Sequence, residues 1–335
     1  MTAPKLQNAS RLDAFLNRLL VGHAASVMAE LPPGSIDLIV TSPPYWTAVE
    51  YAGGKNFWAS YEDYLADLHT VWMQCARVLR PNGKLCINAP VMPIPKTAIR
   101  QHTRHLKNIA FDIEHALLSD TDLERYALFV WQKQTSKMMF GSYPYPGNII
   151  ENNTIEFINV YVKPGKPPKF GHGVKAANLL SRAEWLDLTQ QVWFMYPEDV
   201  KRGGSHPAPF PQKLPARLMR LYSYGAAKDF PGDIVLDPFA GTGTTCAVAK
   251  SMGRRFIGID ISESYIEIAR QKVRDALPGG PMLFVGRAKY PDKSELAAMP
   301  RYGTGSAGKA AAVKHKRKTY GRKLAAKSGG QLPPG

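Results

Sequence analysis

The chain has 335 residues, 44% of them hydrophobic and six of them Trp, enough for a buried core and against wholesale disorder. Its 43 Lys/Arg against 27 Asp/Glu leave a formal charge of +16, which favours a polyanionic partner. No run approaches about 18 consecutive apolar residues, and the three cysteines form no CxxC pair, so neither a membrane span, a disulfide framework nor a Cys-rich zinc site is expected.

In chain order, the first twenty residues lack the long apolar stretch and small-residue cleavage site of a secretory signal. Ile36–Val40 is a short β-branched run that predicts a strand, stopped by Thr41-Ser42-Pro43-Pro44-Tyr45-Trp46. Two consecutive prolines neither continue a ladder nor sit inside a helix, so the strand must end in a rigid extended loop. Leu65, Leu68, Val71, Trp72, Cys75 and Leu79 recur at helical spacing and predict a helix from about Tyr61 to Leu79, broken by Pro81-Asn82-Gly83. Strands are predicted at Lys84–Asn88 and Tyr126–Lys133, and this alternation of helix and apolar strand predicts a parallel, doubly wound sheet.

Residues 140–173 change character. They hold GSYPYPGN, a strand-like Thr154–Val162 and a basic loop, Lys163–Gly173, and read as an insertion or an antiparallel pair with a long loop. His102, His105 and His115 lie close in sequence, but a polar helix surface explains them better than a metal. Asp233–Leu236 predicts a strand, Asp237-Pro238-Phe239-Ala240-Gly241-Thr242-Gly243-Thr244-Thr245 a turn into a helix ending near Met252, and Arg255–Ile259 another strand ending in Asp260. Ser262 caps a last helix whose apolar face is Ile266, Ala269, Val273 and Leu277. From Arg301 onward there are nine Lys/Arg and no acid, more than half of the net charge, in a Gly/Ala/Ser/Lys-rich tail expected to be disordered and to release counterions on nucleic acid.

The glycines at 241 and 243 permit a sharp turn and close approach to a ligand, and the amides at the following helix terminus suit a carboxylate or phosphate. Asp260, 19 residues past Gly241, is placed to accept from ribose hydroxyls. Cys246 breaks a GxGxxG pattern, which disfavours a dinucleotide. Asp237 at the strand end suits an ammonium. Ammonium, carboxylate and ribose together describe S-adenosylmethionine.

TSPPYW followed much later by DPFAGTGTT resembles the amino-methylating DNA methyltransferases (cytosine-N4 and adenine-N6) in their β-type, permuted order, over most of Leu19–Val273. His206–Pro215, the strand around Trp131-Gln132-Lys133 and the Thr154–Lys163 segment are similar too. The resemblance implies an α/β, Rossmann-like methyltransferase fold with circularly permuted motif order and an inserted target-recognition region. Its divisions are 1–139 for the catalytic half, 140–204 for target recognition, 205–297 for the cofactor half and 298–335 for the tail. It implies S-adenosylmethionine as donor and an exocyclic base amine as acceptor, in a cytoplasmic, nucleoid-associated protein whose partner is double-stranded DNA. A homodimer and a cognate restriction endonuclease are further candidate partners.

In the expected chemistry, the Ser42 hydroxyl and the Pro43 carbonyl accept the two amine N–H groups, Pro44 stiffens the loop, and Tyr45 stacks on an extruded base. Alignment of amine, methyl and sulfur supplies most of the rate, with no metal or covalent nucleophile. The expected cofactor contacts are Asp237, Phe239, Gly241, Gly243, Thr244 and Asp260, with Phe210 on the adenine. The family usually has Asp in a Gly-Asp-Ala-like step that holds the adenine amino group; here Val21-Gly22-His23-Ala24 puts His23 there. Trp46, Lys163, Lys166, Lys169 and Arg182 are the expected DNA contacts. Ser before Pro-Pro-Tyr is commoner among cytosine-N4 enzymes, which favours that base over adenine N6. Methylation of RNA or a protein amide, and a catalytically silent DNA-binding protein on the same fold, are the alternatives.

Overall fold

The structure, a computed structural model, describes residues 10–46, 58–94, 105–133, 140–141, 145–147, 149–150, 154–195 and 210–279. Its strands are β1 (Arg18–Val21), β2 (Ile36–Thr41), β3 (Leu79–Ala89), β4 (Val91–Ile94), β5 (His105–Asn108), β6 (Glu124–Lys133), β7 (Phe140–Gly141), β8 (Ile149–Ile150), β9 (Ile155–Val162), β10 (Val192–Met195), β11 (Ile234–Asp237) and β12 (Arg255–Asp260). Its helices are α1 (Ala24–Ala29), α2 (Tyr61–Val78), α3 (Ile109–Asp120), α4 (His172–Ala177), α5 (Arg182–Leu188), α6 (Lys213–Tyr222), α7 (Thr244–Ser251) and α8 (Glu263–Asp275).

Eight strands form one sheet in the order β1-β12-β11-β2-β3-β9-β6-β10. All pairs are parallel except those made by β9, which runs against both β3 and β6. A strand in the middle of such a sheet is covered on both faces, so its sequence is a continuous apolar run. In β2, Leu38 and Val40 join the core beneath α6, α7 and α8, while Ile39 joins the core beneath α1, α2 and α3. The result is three layers, helix, sheet and helix.

Local chemistry sets the element ends. Ser60 and Asp63 form a reciprocal capping box at the start of α2. The residue before Pro81, Arg80, avoids the helical region, but the helix stops still earlier, at Val78, with Leu79 already extended. β3 begins at once and carries Pro81-Asn82-Gly83 as an irregularity, with a register shift against β2 between Ile36 and Leu38. Ser262 accepts from the Tyr265 amide to start α8 as expected. Leu277, expected on the apolar face of α8, is 78% exposed: the helix ends at Asp275, and Pro278 forces the chain out.

The described part of residues 140–204 contributes two strands to the main sheet. β9 is an interior strand between β3 and β6, and β10 closes the sheet edge beside β6. His105 lies on β5, not on a helix, while His115 is exposed on α3; His102 lies outside the described residues. Residues 206–209 and the basic stretch from Arg301 also lie outside them. Among the described residues no helix is long and apolar enough to cross a membrane, no His/Cys/Asp/Glu group could hold a metal, and Cys75, Cys86 and Cys246 are buried free thiols.

One buried bond ties the two ends of the motif order together. Thr41 Oγ1, at the end of β2, donates to Asp237 Oδ1, at the end of β11, at 2.7 Å across a separation of 196 residues. Thr41→Val keeps the shape and leaves a buried carboxylate short of one donor. Urea unfolding should show a loss of about 1–3 kcal/mol, and an unchanged midpoint would remove this bond from the account.

Candidate active site

β11 lies between β2 and β12, and the chain departs from this pair in opposite directions, from β2 toward β3 and from β11 toward β12. At such a switch point the loops beyond the C-terminal ends part and leave a crevice. Ser42–Tyr45 form one wall, Pro238–Thr242 with Thr244 a second, and Asp260–Ser262 with Gly22–Ala24 a third. Trp58, Asp67, Phe210 and Tyr265 complete the lining.

The glycine loop meets the crevice through Gly241 and holds Asp260 in place. Gly241 N donates to Asp260 Oδ2 at 2.8 Å, and Ser262 N to Oδ1 at 2.9 Å. Burial raises the Asp260 carboxyl pKa, against those two amides. Each oxygen keeps a lone pair for a ribose hydroxyl. Lys272 Nζ donates to Thr242 Oγ1 and Thr244 Oγ1, both at 3.1 Å. Each hydroxyl so engaged still has its own proton to give, which suits an anionic group such as a carboxylate. His23 Nε2 lies 3.0 Å from Asp67 Oδ1, and Trp58 Nε1 donates to Asp67 Oδ2 at 2.9 Å. Adenosine and carboxylate parts of S-adenosylmethionine therefore find matching chemistry here.

Asp237, expected to meet the ammonium, lies behind the crevice wall. Asp237 is 1% exposed, does not line the crevice, and accepts from Thr41 and, at 3.1 Å, from Phe239 N. Burial, opposed by these bonds, pushes its carboxyl up to about 6. Gly243 does not line it either. At φ 78 it starts α7, and a Cβ there would come within 2.6 Å of the Ala269 Cβ, so its use is the close packing of α7 on α8. Phe239, Gly241, Thr244, Asp260, Phe210 and His23 do line the crevice.

Across from them, the proline loop is held at several points. Tyr64 OH donates to the Pro44 carbonyl at 2.8 Å. Ser42 Oγ donates to the Asn88 carbonyl at 2.9 Å and lies 2.7 Å from Tyr45 OH. Tyr45 OH donates to Glu156 Oε2 at 3.1 Å, and Asn88 Nδ2 contacts both Tyr45 OH and Glu156. Tyr45 is only 7% exposed and its hydroxyl is tied to Glu156, so its ring is held in place at the crevice wall. Trp46 packs edge-on against Tyr61 at 5.1 Å and is not part of the lining.

The expected DNA lysines lie elsewhere. β9 runs downward from the crevice, so its last residue, Val162, pairs with Lys84, which in turn pairs with Leu38 near the start of β2. Lys163 follows, with Nζ on the Ala76 carbonyl at 2.6 Å, an internal bond to α2. Lys166 and Lys169 are exposed in the loop beyond, beside Phe170, which packs on Tyr224 ahead of β11. Arg182 opens α5, outside the crevice lining. The structure does not bring these four residues to Ser42.

Sequence reading missed Trp58, Asp67, Asn88, Glu156 and Lys272. Two left a signal: Asp67 sits at the edge of the stripe of Tyr64, Leu68 and Val71, and Glu156 is in phase with buried Ile158 and Val160. An acid in an apolar phase marks a paired or functional group.

An acceptor loop and a nucleoside-and-carboxylate loop facing each other at the switch point of a mostly parallel sheet define a Rossmann-like methyltransferase. The chain belongs to the DNA methylase family (N6_N4_Mtase), which matches residues 36–271. Among curated proteins it is 26% identical over 286 residues to the type II methyltransferase M.HinfI of Haemophilus influenzae, covering 80% of this chain and 71% of that one. It is 28% identical over 302 residues to the type II methyltransferase M.MjaI of Methanocaldococcus jannaschii, covering 78% and 93%. Of solved structures, a DNA modification methylase from Thermus thermophilus, complexed with S-adenosyl-L-methionine, matches with a TM-score of 0.62 and 31% identity over 78% of this chain and 96% of that one. The cytosine-N4-specific PvuII DNA methyltransferase matches in fold, with a TM-score of 0.58 at 16% identity, over 76% and 85%.

The buried Asp237 carboxyl makes a pH prediction. Its folded pKa lies above the unfolded value, so the stability it confers is complete below about 3.8 and is lost as pH rises through about 6. Asp237→Asn keeps an Oδ1 acceptor for Thr41 and Phe239. It should raise stability on the order of 2 kcal/mol at pH 7.5, with the gain shrinking toward pH 4 in paired urea melts. A gain independent of pH would contradict this origin.

Proposed function

We propose that this chain is a DNA methyltransferase that transfers the methyl group of S-adenosylmethionine to the exocyclic N4 amine of cytosine, in a restriction-modification or phage-type system. S-adenosylmethionine is the family's methyl donor, and when bound it supplies an electrophilic sulfonium methyl. The single observation that carries the reading is the Ser42 hydroxyl on the wall of the same crevice as the Gly241 loop.

The target amine is a poor nucleophile because its lone pair is delocalised into the ring. Ser42 Oγ and the Pro43 carbonyl each accept one N–H, which draws the nitrogen toward a tetrahedral shape and frees that pair. The donation of Ser42 to the Asn88 carbonyl leaves its lone pairs available for this task. The buried Pro43 and the Tyr64 tie on Pro44 keep the two acceptors at a fixed spacing, so alignment costs little at the moment of reaction. After transfer the nitrogen releases one proton, and no residue needs to act as a strong base. On the cofactor side, Asp260 accepts from the ribose, while Thr242 and Thr244 donate to the carboxylate. With His23 Nε2 donating to Asp67, the neutral ring presents Nδ1 as acceptor for the adenine amino group.

A base inside a duplex cannot reach this crevice, so the target nucleotide is flipped out over the C-terminal ends of the strands. β6 and β10 end at that edge and β9 starts there, so target reading is assigned to the chain next to these strand ends rather than to Lys163, Lys166, Lys169 and Arg182. Those four, with the basic tail, supply sequence-independent phosphate contacts at most. Adenine N6 is the second reading; Ser ahead of Pro-Pro-Tyr favours cytosine.

Nucleosides from DNA incubated with the protein and labelled S-adenosylmethionine should contain N4-methylcytosine by mass spectrometry. N6-methyladenine would move the reading to the other base, and label on RNA or protein alone would overturn DNA as substrate. Ser42→Ala should lower the single-turnover rate by about two orders of magnitude with cofactor affinity preserved. His23→Ala should do the opposite, weakening cofactor binding about tenfold in calorimetry with a modest effect on the saturated rate.

A further inference from the structure

Behind the proline loop lies a buried polar group that the reaction as described does not use. Glu156, 4% exposed, stands at the start of β9 with Oε1 against Lys133 Nζ. Its Oε2 takes the Asn88 side-chain amide and Tyr45 OH. Asn88, Lys133 and Glu156 come from three neighbouring strands, β3, β6 and β9, and reach the sheet's catalytic edge from one side.

Counting protons shows what this carboxylate does. Ser42 and Tyr45 have one hydroxyl proton each, but three contacts ask for one: Ser42 to the Asn88 carbonyl, Tyr45 to Glu156, and Ser42 to Tyr45. A carbonyl and a carboxylate in an ion pair can only accept. Tyr45 therefore commits its proton to Glu156, and what it shows Ser42 is an oxygen. Both inward neighbours of Ser42 are then acceptors, so its proton points inward and its lone pairs face the crevice. The same carboxylate fixes the Asn88 amide: turned the other way, Asn88 Oδ1, which has no hydrogen-bond partner among the described residues, would face Oε2.

We infer that Glu156 is the positioning residue of this site, setting the direction of the Ser42 hydroxyl through Tyr45 so that Ser42 meets the amine as an acceptor. The inference rests on the methyl-transfer reading of the crevice. A neutral amide at 156 would donate to Tyr45, and Tyr45 in turn to Ser42, occupying a lone pair the amine needs.

The test is a double-mutant cycle of Glu156→Gln and Tyr45→Phe, read as single-turnover methylation of DNA and as S-adenosylmethionine affinity by calorimetry. Wild-type protein is assayed first: absence of methyl transfer to any DNA overturns the activity reading itself, before any variant bears on Glu156. With transfer established, Glu156→Gln should slow it about ten- to a hundredfold with cofactor affinity within about twofold. In the Tyr45→Phe background the same change should cost less than about threefold, because its route to Ser42 is gone. Equal cost in both backgrounds, or a rate within about twofold of wild type for Glu156→Gln alone, overturns the inference. Should Glu156→Gln fail to fold beside an unpaired Lys133, Glu156→Gln with Lys133→Met removes both charges and carries the same expectations.

Discussion

The arrangement of this protein depends on a hydrogen bond that no solvent reaches, between the Thr41 hydroxyl and the Asp237 carboxylate. The acceptor loop follows one of these residues and the cofactor loop the other, yet most of the described chain lies between them. A parallel sheet puts β2 beside β11, but pairing alone does not fix how the two loops sit after the strands end. The shared carboxylate does so, because it takes Thr41 from one strand and the Phe239 amide from the other loop on a single oxygen. Asp237 thus registers the two walls while itself lying outside the crevice lining.

Hydroxyl polarity is divided across the crevice in a consistent way. On the cofactor wall, Lys272 donates to Thr242 and Thr244, so those hydroxyls have protons to offer an anion. On the opposite wall, Ser42 gives its proton inward to the Asn88 carbonyl and keeps lone pairs for the crevice. The same functional group acts as donor on one side and acceptor on the other, and a charged neighbour decides which: an ammonium in the first case, a carboxylate acting through Tyr45 in the second. Hydroxyls left to water would have no such preference, and burial is what makes the assignment hold.

Much of this was legible in the sequence. β2, β9, β11, β12 and α8 announced themselves by apolar runs and caps, and the SPPY and FAGTG steps located both walls. Residues whose contribution depends on a distant partner were not legible. Asp237 looked like a ligand group because an acid beside a glycine loop has no sequence mark of its burial under Thr41. Gly243 looked like part of the cradle, whereas its freedom serves the approach of Ala269. The lysines after β9 looked like DNA contacts by composition. Only the antiparallel course of that strand shows that they leave at the far end of the sheet. β1 and β10, four residues each, are too short for periodicity to reveal them and exist because a neighbouring strand offers an edge.

That antiparallel course has an evolutionary consequence. β6 ends at the catalytic edge with Lys133 and β9 starts there with Ile155, as neighbours in the sheet. The connection between them therefore leaves and rejoins the scaffold at adjoining points. Closing a longer connection between two such fixed points adds only a slowly growing entropic cost. Insertions, deletions or wholesale exchange at this point need move no strand of the eight-stranded sheet and neither wall of the crevice. A lineage could thus replace one segment while inheriting the sheet and both walls of the crevice intact.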